Sequence, residues 1–114
     1  MDEKTTESSM KIIIEAGDAR LLIFEAMNAM AESDFAQAGE KLKQAQEKMT
    51  TAHQIQTDRI QEEAAGKGPG YSLLFTHAQD TLMTIYSELN ITKKLLKVFA
   101  KLDERVAALE KRHG

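Results

Sequence analysis

The sequence contains no cysteine, no tryptophan and a single proline. The lack of cysteine excludes disulfide bonds, thiolate metal sites and cysteine nucleophiles, and leaves such chemistry to the three histidines. No apolar run approaches the roughly 18 residues that a membrane span requires, and residues 1–9 are polar and acidic, unlike an export signal. We therefore expect a cytoplasmic protein that carries no export signal.

The composition is that of one folded domain. Its 114 residues fit the usual domain size of about 100 to 200 residues, and 42% of them are hydrophobic while 29% are charged. We expect a single domain over residues 1–114, with a disordered tail at 1–8. The net charge is −3, and the basic residues are interleaved with acidic ones rather than gathered in a stripe. This pattern predicts no nucleic-acid partner.

The proline lies in a glycine-rich cluster at residues 66–70, the only stretch that forbids helix. Elsewhere Ala, Leu, Met, Glu, Gln and Lys dominate, which favours helix, and no sustained alternation indicates a strand. We predict an all-α fold, an antiparallel three-helix bundle with helices at about 9–31, 35–65 and 72–112. Residues 66–70 would form a hairpin linker, and Asp34 would cap the second helix.

Each predicted helix has apolar residues at spacings of three and four, which is typical of an amphipathic helix. The inner face of the first helix is predicted to contain Met10, Ile13, Ile14, Gly17, Leu21, Phe24 and Met27 or Asn28. The second helix has a heptad seam that turns polar at its end, through Phe35, Ala38, Leu42, Ala45, Met49, Ala52, Gln56 and Arg59. The third helix has two stripes, one through Phe75, Ala78, Leu82, Ile85, Leu89, Leu96 and Phe99 and the other through Ile91, Leu95, Val98, Leu102, Val106 and Leu109.

Two stripes on the third helix exceed what packing against two neighbours requires. A helix of roughly 40 residues is about 60 Å long, whereas a compact domain of this size has a radius of gyration near 13 Å, by the usual size relations. We therefore predict that the third helix also packs against another copy of the chain. In the alternative interpretation, the part after Lys101 simply projects into solvent.

The segment 76–84 places polar side chains inside an apolar context. On a helix, His77, Asp80, Thr81 and Thr84 share one face because they are three, four and seven residues apart. Such a ribbon is either an ordinary solvated face or a site whose polar groups have partners. Imidazole is a nucleophile near neutral pH, so His77 is a candidate to hold a phosphoryl group transiently.

Other residues are weaker candidates. Because mid-helix N–H groups are already hydrogen-bonded, donors for a phosphoryl group would come from Thr76, Gln79 or Thr81, or from a partner protein. His53 lies beside a heptad position and is interpreted mainly as a hydrogen-bonding residue, and His113 lies in the polar tail. The sequence has no His-Glu-x-x-His motif, and residues 66–70 lack the ending of a P-loop.

Several segments resemble the lactose/cellobiose-type IIA components of the bacterial sugar phosphotransferase system. The active-site stretch of that family is similar to residues 76–84, Thr-His-Ala-Gln-Asp-Thr-Leu-Met-Thr. Further similar segments follow the family order, at residues 16–20, 34–38 and 52–57 with 61–64, and the resemblance extends over roughly residues 9 to 100. The resemblance implies a three-helix subunit that forms a homotrimer with its third helices near the threefold axis.

The resemblance also implies an activity. His77 would accept a phosphoryl group on Nε2 from the phosphohistidine of the carrier protein HPr, and pass it to a cysteine of a IIB component. That component would phosphorylate a β-glucoside or related disaccharide of the cellobiose, chitobiose or lactose class during import. Contact with the membrane would be indirect, through the IIC transporter. In the alternative, the chain is a non-catalytic helical oligomer or regulatory scaffold derived from the same fold.

Two further positions matter in this comparison. Asp80 matches the family position that binds a divalent ion, Mg²⁺ or similar, with one carboxylate from each of the three subunits meeting at the axis. Position 81 departs from the family, since many members have a second histidine there and this chain has threonine. A role of that histidine therefore does not carry over to Thr81. Gln56 and His53 fall in the matched part of the second helix, as supporting residues.

Overall fold

The computed structural model describes residues 3–68 and 70–113, and within them the regular secondary structure is three helices with no strand. Helix α1 spans Glu3–Ala31, α2 spans Phe35–Ala64 and α3 spans Leu73–His113. The predicted all-α class and the three predicted helices are confirmed. Helix α1 begins earlier than predicted, so residues 3–8 are helical and not a disordered tail, while residues 1 and 2 lie outside the described part of the chain.

Two short turns reverse the chain. In the first, Ser33 adopts a positive φ of 59° and the Asp34 carboxylate accepts a hydrogen bond from the Gln37 backbone N–H at 3.1 Å, as the predicted cap requires. In the second, Gly66 and Gly70 have φ values of 77° and 87°, in the left-handed region that favours glycine. Pro69 of the predicted linker lies outside the described residues.

The core face of α1 differs from the prediction. Its buried apolar residues are small or branched, namely Ile12, Ala16, Ala19, Ile23 and Ala26. Of the larger residues assigned to the inner face, Ile13 is partly buried against the core. The others are exposed, namely Met10, Ile14, Leu21, Phe24 and Met27. The prediction was wrong because it favoured the bulkier of two stripes, whereas alanines let α1 approach the alanines of α2 closely.

The predicted seam of α2 is confirmed from its second residue onward, since the buried residues are Ala38, Leu42, Ala45, Met49, Ala52, Gln56 and Arg59. Phe35, predicted to begin it, is only half-buried. The first stripe of α3 is confirmed as far as Leu89, with Leu96 partly buried against the core and Phe99 exposed. The polar end of the seam is buried around Arg59. Its guanidinium donates to Glu62 Oε2 at 2.6 Å and to Thr5 Oγ1 at 2.7 Å, which ties α2 to the start of α1.

The molecule is a rod of 67 × 19 × 18 Å with a radius of gyration of 18.8 Å. Helix α3 extends beyond the other two helices, and every side chain from residue 101 to 113 is exposed. The second stripe of α3 is also uncovered, with Ile91 61%, Val98 50% and Leu109 52% exposed. No helix in the described residues is long and apolar enough to cross a bilayer.

Candidate functional site

His77 lies near the start of α3, on a well-anchored turn. The Ser72 hydroxyl accepts a hydrogen bond from the Phe75 backbone N–H at 3.2 Å, and Phe75 and Ala78 on either side of His77 are buried in the core. The His77 side chain itself is exposed. Among the described residues, no side chain forms a hydrogen bond or an ion pair with its ring. The backbone is therefore fixed while the imidazole remains reachable from outside.

The threonine hydroxyls near His77 are engaged with the backbone. The Thr76 hydroxyl donates to the Ser72 carbonyl at 3.0 Å, and the Thr81 hydroxyl donates to the His77 carbonyl at 2.9 Å. The Thr84 hydroxyl donates in the same way to the Asp80 carbonyl at 2.8 Å. In this conformation their protons point to helix carbonyls and not toward the His77 ring, so they are poor candidates to hold a phosphoryl group.

Three other candidates lie apart from His77. Gln79 is two residues further along α3 and so projects from nearly the opposite side of the helix. His53 is exposed on α2, and Gln56 is buried in the core with its Oε1 unpartnered. Within the described ranges no hydrogen bond joins any of them to the ring of His77.

Asp80 offers one exposed carboxylate with no ion pair to any described residue. In residues 3–68 and 70–113 no group of three His, Cys, Asp or Glu side chains could hold a metal ion. One chain alone thus offers fewer than three such ligands at this place. Val98 follows Asp80 by about five helical turns, which puts the carboxylate in line with the uncovered apolar stripe of α3.

A bidentate ion pair on the same side of α3 was not predicted. Arg20 of α1 donates from Nε and Nη2 to the two carboxylate oxygens of Glu88, at 2.9 and 3.0 Å. These hydrogen bonds to Glu88 raise the pKa of the Arg20 guanidinium, against the opposing effect of burial. The pair fixes how α1 and α3 are rotated against each other. Only the two residue types could have indicated it, because Glu88 lies 68 residues from Arg20 along the chain.

Comparison with known proteins adds to this geometry. Residues 7–100 match the lactose/cellobiose-specific IIA subunit of the phosphotransferase system. The lactose-specific EIIA component of Staphylococcus epidermidis is 36% identical over 91 residues, covering 80% of this chain and 88% of its own length. The lichenan-specific IIA component of Bacillus subtilis is 32% identical over 108 residues, covering 95% and 98%.

A solved structure resembles the whole bundle. The IIA(chitobiose) protein in its solution complex with HPr, from the diacetylchitobiose branch of the Escherichia coli phosphotransferase system, superimposes with a TM-score of 0.78 and 31% sequence identity. It covers 90% of this chain and 99% of that one. The fold and these matches define the class, a component of a sugar phosphotransferase system. The chain belongs to the lactose/cellobiose-specific IIA family of the phosphotransferase system.

Proposed function

We propose that this protein relays a phosphoryl group through Nε2 of His77, from phospho-HPr to the cysteine of a IIB component. The observation that carries the proposal is the exposed, unpartnered imidazole on a turn of α3 whose neighbours are locked in the core. A relay residue must present the same ring to two successive proteins, so it needs a fixed backbone and an open face. His77 has both.

The transfer is balanced at phosphorus. In the first step, the lone pair of His77 Nε2 forms a P–N bond while the P–N bond to the donor histidine breaks. In the second step, a thiolate of the acceptor forms a P–S bond and His77 leaves as neutral imidazole after taking up a proton. The hydroxyls beside His77 are bonded to helix carbonyls, so the charge on the transferring oxygens would be stabilised by groups of the partner proteins.

The proposal includes a homotrimer with α3 at the threefold axis. It rests on the uncovered apolar stripe of α3, with Ile91 61% and Val98 50% exposed, and on the exposed large residues of α1. An apolar stripe of this length on a monomeric rod would be left in water, at a cost that association removes. Asp80 is in line with the stripe, so three copies would bring three carboxylates together.

Three such carboxylates repel one another, and they supply the hard oxygen ligands that suit Mg²⁺ or a similar divalent ion. Asp80 of each copy would hold one ion per trimer at this point. The ion would neutralise the negative charge at the axis and stabilise the assembly. Nothing in the transfer at His77 requires it.

The transported sugar is proposed as a β-glucoside or related disaccharide, of the cellobiose, chitobiose or lactose class. The relatives differ in the sugar they are named for, and a carrier that passes only a phosphoryl group does not contact the sugar. The IIB and IIC components would carry that specificity. A relay partner of HPr would act in the cytoplasm, and would meet the membrane only through the IIC transporter.

Phosphorylation by the donor tests the first half of the relay. Incubation with phosphoenolpyruvate, enzyme I and HPr, followed by intact-mass measurement, is expected to add one acid-labile phosphate per chain. The His77→Ala variant should gain none, whereas His53→Ala and His113→Ala should still be phosphorylated, since neither residue lies at the relay site. An unchanged mass of the wild-type protein would rule out the relay.

One observation supports a second candidate, a helical oligomer or regulatory scaffold that kept the fold and lost transfer. Position 81 is threonine, whereas many members of the family have a second histidine there. The Thr81 hydroxyl donates a hydrogen bond to the His77 carbonyl. The same experiment separates the two functions. A scaffold would bind HPr without gaining phosphate.

A further inference from the structure

A groove runs between α2 and α3, along the flank of α3 that faces α2. These two helices pack less closely against each other than either packs against α1. The space between them has a volume of about 780 Å³, within the range of about 300 to 1,000 Å³ that is usual for small-molecule sites. Leu42 and Leu96 form its apolar floor. Gly39 lines the α2 side and adds no side chain there.

Four lysines line the groove, Lys43 from α2 and Lys93, Lys94 and Lys97 from α3. None of them has a carboxylate partner within ion-pair distance among the described residues, whereas their neighbours Lys41 and Lys48 on α2 are paired with acidic residues of α1. Lys93 is half-buried and donates to Gln46 Oε1, which holds its ammonium inside the groove. In a chain of net charge −3, four lysines against one lining carboxylate, Glu47, make this a positive site.

We propose that this groove binds a small phosphorylated sugar. A phosphate group suits a cluster of lysines along one groove, whose ammonium groups bind it as point charges. The apolar floor suits the C–H face of a sugar ring, and the side-chain amide of Asn90 at the rim can exchange hydrogen bonds with hydroxyl groups. Neither an uncharged sugar nor a bare anion would use both the floor and the lysines.

The groove is separate from the relay site. Asn90 lies about 20 Å along α3 from His77 at the usual helical rise, and the groove faces α2. A bound ligand would therefore not block His77, and would bridge two helices that otherwise share few contacts. It would rigidify this part of the bundle. The inference does not depend on phosphoryl transfer, since it concerns binding to the unphosphorylated chain.

Titration of the ¹⁵N-labelled protein with glucose 6-phosphate at constant ionic strength tests the proposal. We expect saturable shifts of the Gly39, Gln46 and Asn90 amides with glucose 6-phosphate. Glucose should cause no shift and inorganic phosphate should bind at least about tenfold more weakly, because glucose contacts only the apolar floor and phosphate only the lysines. Absence of saturable shifts would overturn the proposal. Equal affinity for inorganic phosphate would overturn the claim that the groove contacts a sugar ring. Saturable binding of an acidic peptide, with no binding of glucose 6-phosphate, would overturn the proposal and indicate a macromolecular partner.

Charge variants locate the site. Lys93→Gln combined with Lys97→Gln is expected to weaken binding at least about tenfold, since two charge contacts to phosphate are lost. Lys67→Gln combined with Lys111→Gln removes the same charge outside the groove and should change affinity less than about twofold at this ionic strength. Glu47→Gln removes the one carboxylate that lines the groove and should tighten binding. Equal loss in both lysine pairs would show a non-specific charge effect and overturn the assignment.

Discussion

The backbone of His77 is fixed in position although its side chain is exposed. The ring is open to solvent, but the residues before and after it on the core side, Phe75 and Ala78, are 8% and 0% exposed. The helix start is further fixed by the Ser72 cap. The chain thus restricts the position of the Cα atom and leaves the imidazole free to meet two partners in turn.

Thr81 is expected to contribute little to the transfer. Its hydroxyl is bonded to the His77 carbonyl, so a Thr81→Val variant loses a redundant hydrogen bond and keeps the shape of the side chain. We expect the rate of phosphorylation by HPr to change less than about threefold and the free energy of unfolding by less than about 1 kcal/mol. Rapid-quench kinetics and thermal unfolding measure the two. A loss of rate of more than about tenfold would mean that the hydroxyl turns to the phosphoryl group during transfer.

At the scale of the helices, the core is built from one narrow stripe on each. Leu82 of α3 is 0% exposed, whereas the next residue, Met83, is 52% exposed. Leu82→Ala should therefore lower the free energy of unfolding by about 2 to 5 kcal/mol, through lost transfer energy and a cavity. Met83→Ala, the control beside it, should change it by less than about 0.5 kcal/mol. Denaturant unfolding measures both, and similar losses in the two variants would contradict the placement of the core.

The three helices and the turns between them were predictable from the sequence because breakers and caps are local signals, whereas the start of α1 at Glu3 was not. Asp34 at the first turn is confirmed in its predicted role, as is the α2 seam that ends in Gln56 and Arg59. The rotation of α1 was not predictable, since two stripes with the same spacing compete and only tertiary packing decides between them. The same limit applies to the Arg20 ion pair and to the lysine groove, which join residues distant in sequence.

At the scale of the whole molecule, the rod leaves two apolar faces uncovered. Exposed large residues on α1, such as Leu21 at 60%, and on α3, such as Ile91 at 61%, exceed the scattered apolar residues of ordinary surfaces. The long third helix disfavours a monomer, because most of its second apolar stripe is exposed to solvent in the described part of the chain. These faces are the basis of the proposed trimer.

Asp80→Leu tests the arrangement at the threefold axis. It deletes the proposed metal ligands together with their mutual repulsion, so the trimer should persist or become firmer while divalent-ion binding is lost. Sedimentation and calorimetric titration with Mg²⁺ measure the two properties. Ile91→Asp, which places a charge on the same face, should dissociate the trimer instead. Dissociation of the Asp80→Leu protein would argue against the axial position.

The central claim, that one histidine serves two partners, is tested most directly by a chase from the isolated phosphoprotein. The chain is phosphorylated by HPr, purified and mixed with its IIB component, and both proteins are followed by intact mass over time. We predict that phosphate leaves His77 and that an equal amount arrives on the IIB cysteine, with none transferred to a Cys→Ser variant of that component. Release of inorganic phosphate without arrival on the IIB component would contradict the relay.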